Sequence, residues 1–318
     1  MKKIFSILGL FLLVFALAGC KPEVKERTYK ADGVYLAWDL EVHEVDFSLP
    51  DGSKVKVNTP QVSMVKVEIR NDEIVDFYID EIQATATGTV VENVLTKISF
   101  AFNKQTKKEL EYAYMMSQIM KTKEWFIQAT ILENNWLENN KVEALSTMTI
   151  THDNYVAIAK RAVQNAIDGK VAAIYPENTT YYGAVLNYVT ADINSEGKIS
   201  NVKFDVHHFN YLDKSADQLD PTKTTKYMKF NWDQETKYAA YPEMMPGVRW
   251  QDMIDVFANY INTNGWDGSI FAVGNKLSTK PTEAAATPVE ALASVTITCN
   301  MEVLLMNQLW KYFPKGWK

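Results

Sequence analysis

One twelve-residue segment occurs twice in this chain, at positions 142–153 and 289–300. The copies are VEALSTMTITHD and VEALASVTITCN, and seven of the twelve positions are identical. In each copy an apolar stretch leads into Thr-Ile-Thr, followed by a small or polar residue of the kind that caps helices. Identity this dense in a non-repetitive chain predicts a duplicated structural unit.

Pairs of residues upstream of this motif extend the duplication. Trp136 and Trp266 are 130 positions apart, and Thr106 and Thr236 share that spacing. At the motif the spacing has grown to 147, as expected if the second copy carries insertions. The largest insertion is the segment 267–288, whose Ala, Thr, Pro and Gly predict a surface loop.

The N-terminus has the pattern of a secretory signal. Lys2 and Lys3 precede an uncharged, mostly apolar run at 4–17, and Leu-Ala-Gly then precedes Cys20. A run of fourteen residues is shorter than the ~20 that a membrane span needs, which argues against an uncleaved transmembrane helix. The segment resembles a bacterial lipobox. That resemblance implies cleavage before Cys20 and lipid attachment to its sulfur, which would anchor the protein to the outer face of a membrane.

The predicted organisation is a signal peptide at 1–19, a lipidated Cys20 with a tether to 30, and two domains. The first half of the chain is 31–169 and the second half is 170–318. About 300 mature residues suit two ordinary domains, and with 47% apolar residues each half can build a core. The net charge of −6 argues against a nucleic-acid partner. Cys299 is the only cysteine besides Cys20, so the folded part has no intrachain disulfide.

Apolar periodicity predicts an α+β fold of two tandem repeats, each a β-hairpin-rich sheet with packed helices. In the first half we expect strands at 34–40, 63–69 and 74–80, a strand or helix approach at 96–103, and helices at 107–120, 125–135 and 152–167. In the second half we expect strands at 183–193, 199–209 and 227–232, a loop at 213–224, and helices at 250–262 and 301–313.

These elements and the motif together resemble the FMN-binding domain. The shared features are a strand pair with a turn like that at 196–199, then helices, then a segment ending in Thr-Ile-Thr that opens a helix. This domain occurs in subunits of sodium-pumping quinone reductases and in extracellular electron-transfer lipoproteins, some with two copies behind a lipobox. The resemblance implies that a flavin transferase links the phosphate of FMN to the last Thr or Ser of an Asp-x-x-Ser/Thr-Gly-Ala-Thr/Ser motif.

The motif positions transfer to this chain one by one. The resemblance implies that the FMN acceptors are Thr149 and Thr296, that the motif acid is Glu143 and Glu290, and that the Ser/Thr position is Ser146 in the first copy and Ala293 in the second. The motif glycine is replaced by Thr147 and Ser294, and its alanine by Met148 and Val295. A side chain at the glycine position should obstruct close approach of the backbone to a flavin or transferase.

Two functions from different classes follow. The first is a membrane-anchored extracellular lipoprotein that binds FMN, covalently or not, for extracellular electron transfer. Its partners would be the lipid membrane, a flavin transferase and a membrane electron donor, and it would be a carrier rather than a catalyst. The alternative is a non-redox, envelope-interaction lipoprotein built from the same domains. Candidates for a flavin-stacking bed are Trp125, Trp136, Tyr114, Trp250, Trp266 and Tyr241.

Other chemistry has little support in the sequence. His207 and His208 are adjacent on a predicted strand, so they point to opposite faces and do not easily share a metal ion. The chain has no phosphate-cradling glycine-rich loop, no Cys-x-x-Cys and no Gly-x-Ser-x-Gly elbow, which argues against a hydrolase.

Overall fold

The computed structural model describes residues 26–180, 183–209, 236–240, 244 and 246–314. Within these ranges the protein is α+β, with antiparallel sheets and packed helices. The predicted signal peptide, Cys20, the loop at 213–224, the strand at 227–232 and Tyr241 lie outside the described residues.

The first half begins with a four-stranded antiparallel sheet in the order β1-β2-β3-β4. Its strands are β1 Gly33–Ser48, β2 Lys54–Arg70, β3 Glu73–Val91 and β4 Val94–Phe102. The predicted hairpin is confirmed, and Asn71 and Asp72 make its turn with φ of 55° and 65°. Asn and Asp tolerate this left-handed conformation, which matches the twist of a tight hairpin. The segment at 96–103 is a strand, β4.

The predicted helix at 107–120 is wrong as one element. The chain forms α1 (Lys107–Leu110), a 3-10 turn (Glu111–Tyr114) and α2 (Met116–Met120). Two buried carboxylates explain the division, because each accepts a backbone N–H at or near the start of a short helix. Asp80 accepts from the N–H of Lys108 at 3.1 Å, and Glu124 accepts from that of Met116 at 2.9 Å. Tertiary contacts therefore override the helical periodicity here.

The helices predicted next are confirmed. They are α3 (Trp125–Asn139) and α4 (Asp153–Asp168). Gly169 ends α4 in the left-handed conformation at φ 73°, and its N–H donates to the carbonyl of Asn165. α4 packs across β1 and β2, while α3 packs on β3.

The second half contains a three-stranded antiparallel sheet in the order β5-β6-β7. The hairpin of β6 and β7 and the two long helices match the predictions, whereas β5 was not predicted. The segment at 267–288 is not only a loop, since it holds the small hairpin of β8 and β9 with Leu277 buried. The elements are β5 Lys170–Thr179, β6 Gly183–Ile193, β7 Ile199–His208, α5 Lys237–Ala240, α6 Trp250–Asn264, β8 Phe271–Val273, β9 Lys276–Ser278, 3-10 turns at Glu283–Ala285 and Glu290–Leu292, and α7 Asn300–Tyr312.

The cores of the two halves are continuous. One apolar cluster joins the helix-facing side of the first sheet to residues of β5, β6 and β7 and to the helices α3, α4, α6 and α7. A second cluster lies between the two sheets, where Met64 and Phe102 of the first half meet Ile174 and Leu186 of the second. Asn178 also bridges the sheets, because its amide bonds both the N–H and the carbonyl of Phe102, at 2.7 and 2.8 Å.

The C-terminal helix closes the fold against the first strand. The Phe313 ring meets the buried Tyr35 ring edge-on, with centroids 5.0 Å apart. Gly33 lies beneath this contact, where a Cβ atom would be 2.2 Å from the Phe313 ring and 2.7 Å from the carbonyl oxygen of Tyr312. Only glycine leaves room for this approach.

We expect Gly33→Ala to lower the free energy of unfolding by about 3 kcal/mol or more, since the methyl group meets both a ring and backbone. Gly52→Ala is the matched control, because Gly52 also has positive φ (84°) but has no atom within 4 Å of a built Cβ. That control should lose only about 1 kcal/mol. Guanidinium denaturation of both variants measures the difference, and equal losses would contradict the close packing at Gly33.

Candidate functional site

The first motif loop, residues 142–152, is held by a buried glutamine of α3. The Gln128 side-chain carbonyl accepts three hydrogen bonds: from the N–H of Thr149 at 2.9 Å, from its hydroxyl at 3.0 Å and from the N–H of Ile150 at 3.3 Å. Gln128 is 2% exposed, whereas Thr149 is exposed. The predicted acceptor Thr149 is therefore exposed on a loop that the buried side chain of Gln128 holds in place.

The second motif loop is held from the same position of its own helix. Thr296 is exposed, and its hydroxyl donates to the sulfur of Met253 at 3.4 Å. Met253 follows Trp250, the first residue of α6, by three positions, as Gln128 follows Trp125 in α3. A thioether is a weak acceptor, so this loop is held by less hydrogen bonding than the first.

The residue that follows Thr-Ile-Thr does not cap its helix with a side-chain hydrogen bond, which corrects the expectation from sequence. His152 and Cys299 occupy the N-cap positions of α4 and α7, but each side chain turns back to the carbonyl two residues earlier. His152 Nδ1 lies 3.0 Å from the carbonyl of Ile150, and its Nε2 accepts from the N–H of Leu145 at 3.2 Å. These partners are those of a neutral ring with its proton on Nδ1.

Cys299 is a structural residue in this position. Its thiol donates to the carbonyl of Ile297 at 3.6 Å, and the residue is 1% exposed. Burial raises the pKa of the thiol well above its ordinary value. Because the thiolate is the reactive form, this cysteine is expected to be inert.

The other predicted site residues lie on the same two loops. The Glu143 carboxylate pairs with Lys141 at 2.6 Å and is partly exposed, while Ser146 and Glu290 are exposed. Within the described ranges none of these three side chains bonds to a motif threonine. These residues are therefore close to the motif threonines in sequence, but in the structure no side-chain hydrogen bond joins them to those threonines.

The positions that replace the motif glycine carry no backbone strain. Neither Thr147 nor Ser294 has a positive φ. A side chain fits the backbone here, so the absence of glycine does not distort either loop.

The four tryptophans considered as a flavin bed belong to the core. Trp125, Trp136, Trp250 and Trp266 are each 2% exposed or less. The rings of Trp125, Trp136 and Trp266 make edge-on contacts with other core rings, for example Trp136 with Phe77 at 5.5 Å. They offer no open face to a flavin, and Tyr114 is only half-buried beside them.

A buried polar cluster lies beneath the first turn of α4. Lys107 forms an ion pair with Glu81, and the hydroxyl of Tyr155 donates to the other oxygen of the same carboxylate. The Lys107 ammonium also lies 5.6 Å from the Trp125 ring centre. Glu81 is 1% exposed and Lys107 9% exposed, so both charges of the pair are withdrawn from water. Breaking such a pair by removing one partner typically costs 3–5 kcal/mol.

A second carboxylate, Glu41, joins this cluster from β1. It accepts a hydrogen bond from the amide of Asn154 in the first turn of α4. Burial raises the pKa of Glu41, the nearby Ser63 hydroxyl opposes that rise, and the charge of Glu81 adds to it. Burial also raises the pKa of Tyr155, and the Glu81 charge raises it further, so the phenol stays neutral and donates.

The second half has a partly buried lysine at the start of its own short helix. Lys237 lies 4.5 Å from the ring centre of Trp250, and burial lowers the pKa of its ammonium. Glu302 on α7 is 7% exposed, and burial raises its pKa while the Lys237 charge opposes the rise. Burial lowers the pKa of His208 to about 4, and Lys237 contributes to that shift.

Sequence reasoning did not identify these clusters as sites. One signal was present, since Lys107 and Lys237 each follow a threonine and are 130 positions apart. The carboxylate partners carried no such signal, because Glu81 comes from a strand and Glu302 from a helix.

Comparisons with family models, with curated proteins and with solved structures find no match to this chain. No helix in the described part of the chain combines the length and apolar character that crossing a membrane requires. Among the described residues, no three His, Cys, Asp or Glu side chains are grouped in a way that could hold a metal ion.

The raised pKa of Glu41 predicts a pH-dependent contribution to stability. The folded state holds this proton more tightly than the unfolded state, whose pKa is near the ordinary 4.5. The contribution is therefore fully present below that value and is lost as the pH rises through the folded pKa. Glu41→Gln keeps an acceptor for Asn154 but removes the titration. We expect this variant to gain stability relative to the wild type between about pH 4 and pH 7.

Urea denaturation across this pH range measures the effect. Glu44→Gln, an exposed glutamate of the same strand paired with Lys56 at 3.3 Å, is the matched control and should not show the gain. Parallel pH profiles for the wild type and Glu41→Gln would contradict the buried position of the Glu41 carboxyl.

Proposed function

We propose that this protein is a membrane-anchored extracellular lipoprotein, built from two tandem FMN-binding-like units, that carries FMN for extracellular electron transfer. Thr149 and Thr296 are its attachment points. The observation that carries the proposal is that both threonines are exposed while a buried side chain at the same position of a long helix holds each loop. A phosphate ester can form at such hydroxyls without opening the core.

Equivalent hydrogen bonds support the tandem units. In the first half, Asp80 near the middle of β3 accepts from the N–H of Lys108 in α1 at 3.1 Å. In the second half, Asp205 of β7 accepts from the N–H of Tyr238 in α5 at 2.8 Å. The third strand of each half therefore caps a four-residue helix through the same type of side chain.

The buried lysines support the same duplication. Each is the first residue of its short helix, and each ammonium lies near the ring of the first residue of the next long helix, Trp125 or Trp250. The carboxylate that neutralises the lysine differs, since Glu81 does so in the first half and Glu302 lies near Lys237 in the second. This pattern is expected of duplicated units that diverged in sequence, because in each unit a lysine withdrawn from water still needs a carboxylate nearby.

The residues around the motif threonines fit a phosphate-linked group. If the Thr149 hydroxyl becomes an ester oxygen, it loses its proton, but Gln128 still accepts from the N–H groups of Thr149 and Ile150. The loop stays anchored after modification. α4 and α7 each begin four residues after the threonine, and the unpaired N–H groups of a helix start favour an anion.

FMN, when bound, supplies reversible uptake and release of electrons. The chain would fix the position of each FMN group, because α3 and α6 hold the two loops to which the groups are attached. The lipid anchor would keep both groups near a membrane electron donor. The first site is held by three hydrogen bonds and the second by one contact to sulfur, so we expect the first to present its group more rigidly.

The test is covalent flavin loading of residues 21–318, produced outside the cytoplasm of a host with a flavin transferase and FAD. The FAD pyrophosphate would transfer its FMN group to the threonine oxygen, which loses its proton, and AMP would be the leaving group. We expect yellow colour that survives denaturation and an intact mass raised by one or two FMN groups. Thr149→Ala and Thr296→Ala should each remove one group, and Thr149→Ser should retain it. Thr151→Ala and Thr298→Ala are matched controls, because these neighbouring threonines are also exposed.

The outcomes separate the alternatives. Colour that denaturation releases would mean noncovalent flavin and would retire Thr149 and Thr296 as acceptors. A colourless protein of unmodified mass that does not bind added FMN would contradict the redox function.

A non-redox binding lipoprotein is the second candidate, and one observation favours it. The tryptophans next to the motif loops are core residues, while a cleft lined by Trp38 lies elsewhere, between the two halves. Ligand sites commonly occur at such junctions. In this case the colourless outcome is expected, together with binding at the cleft.

Lipid attachment at Cys20 gives a separate prediction. We expect Cys20→Ser to leave residues 1–19 uncleaved and to block acylation, because the lipid-bearing sulfur is absent. Acyl chains supply roughly 0.8 kcal/mol per buried CH₂, and two or more chains hold a protein stably on a membrane. Mass analysis of the N-terminus and of lipid-labelled protein checks the effect. Cys299→Ser is the control and should be cleaved and acylated normally, and an acylated Cys20→Ser protein would contradict the assignment.

A further inference from the structure

An open cleft of about 540 Å³ lies where the two halves meet. Small-molecule sites in proteins typically measure about 300–1,000 Å³, so this junction cleft is of suitable size. Its first wall comes from β1 and α4, and its second from one face of the β5–β6–β7 sheet. Its lining includes Trp38 and Asn165 from the first half and Lys170, Thr190, Asp192 and Lys203 from the second.

The first wall is a fixed aromatic surface. The Trp38 ring packs against Tyr188 with centroids 5.6 Å apart and the planes at 52°. The Trp38 carbonyl accepts from the guanidinium of Arg161 at 3.0 Å, and the amide of Asn165 donates to the carbonyl of Leu36 at 3.1 Å. These bonds attach the backbone of β1 to α4 at Trp38 and two residues before it. An indole held in this way offers a flat surface at low entropic cost.

The second wall carries a lysine, Lys203, that no carboxylate contacts directly within the described residues. Asp192 is engaged by Lys170 at 2.7 Å and by the amide of Asn201 at 2.6 Å. Lys203 forms no ion pair within 4 Å in the described part of the chain and acts on the Asp192 carboxylate only at longer range, so its ammonium is available to a ligand. The neighbouring hydroxyl of Thr190 has no hydrogen-bond partner among the described residues. A cation beside an available hydroxyl suits an anionic group.

We propose that the junction cleft binds a small organic anion with a planar ring. The ring lies on Trp38, and a carboxylate or phosphate group bonds Lys203 and Thr190. The site needs both halves, because the aromatic wall comes from one and the cation from the other. It does not involve the motif threonines and does not depend on flavin attachment there.

The test measures binding to residues 21–318 by titration calorimetry, with four probes. 2-Naphthoate and 2-naphthyl phosphate carry both features, cyclohexanecarboxylate has charge without a flat ring, and 2-naphthalenemethanol has the ring without charge. We expect saturable binding of the two aromatic anions, weakened by salt, and much weaker binding of the other two probes.

Variants then locate the site. Lys203→Gln should raise the Kd of 2-naphthoate about tenfold, as loss of a charge-assisted hydrogen bond does. Trp38→Leu should raise it severalfold, and Thr190→Val should weaken binding without changing the charge. Lys198→Gln, an exposed lysine at the β6–β7 turn, is the matched control for charge, and Trp310→Leu, a partly exposed tryptophan on α7, is the control for ring loss. Both controls should bind as the wild type does.

Two results would overturn the proposal. One is a Kd weaker than about 1 mM for both aromatic anions. The other is binding that Lys203→Gln and Thr190→Val leave unchanged in protein with wild-type circular dichroism. The same titration on the Thr149→Ala, Thr296→Ala double variant separates this site from the proposed function, because binding at the cleft should persist there.

Discussion

The burial of β2 on both faces is the constraint on which the rest of the structure depends. Seven successive residues, 59–65, are buried, because α4 covers one face and the second sheet lies against the other. A strand buried on both faces also buries its polar side chains, which then require partners. Gln61 bonds Gln83 at 2.8 Å, and Ser63 donates to Glu81 at 3.3 Å. The first half alone would leave one face of this strand exposed to water.

The same exclusion of water determines which charged groups pair and where a ligand could bind. Beneath α4 it forces Glu81 into contact with Lys107 and Tyr155, since a buried charge needs a partner. It also places Trp125, Trp136, Trp250 and Trp266 in the core, whereas the motif loops and the junction cleft stay open to solvent. With no disulfide in the described fold, stability depends on this shared core.

The candidate site was only partly predictable. The repeated motif and its resemblance to the FMN-binding domain pointed to Thr149 and Thr296 from sequence, and in the structure both threonines are exposed on a loop that precedes a helix. Their anchors, Gln128 and Met253, differ in chemistry and carried no common pattern, so only the folded helices reveal that they occupy one position. The junction cleft could not be predicted, because Trp38 and the lysines that face it are far apart in the chain and meet only when the sheets pack.

Local sequence determined the elements whose signals are local. The Asn71 turn, the alternation of β6 and β7, and the stripe of α4 with Gly169 at its end all act over a few residues, and each was predicted. Tertiary structure alone decided the division of the helix predicted at 107–120, the fit of Gly33 under Phe313, and the contact between the two sheets. Each of these depends on atoms distant in sequence, whose hydrogen bonds and packing exceed the modest preferences of the local chain.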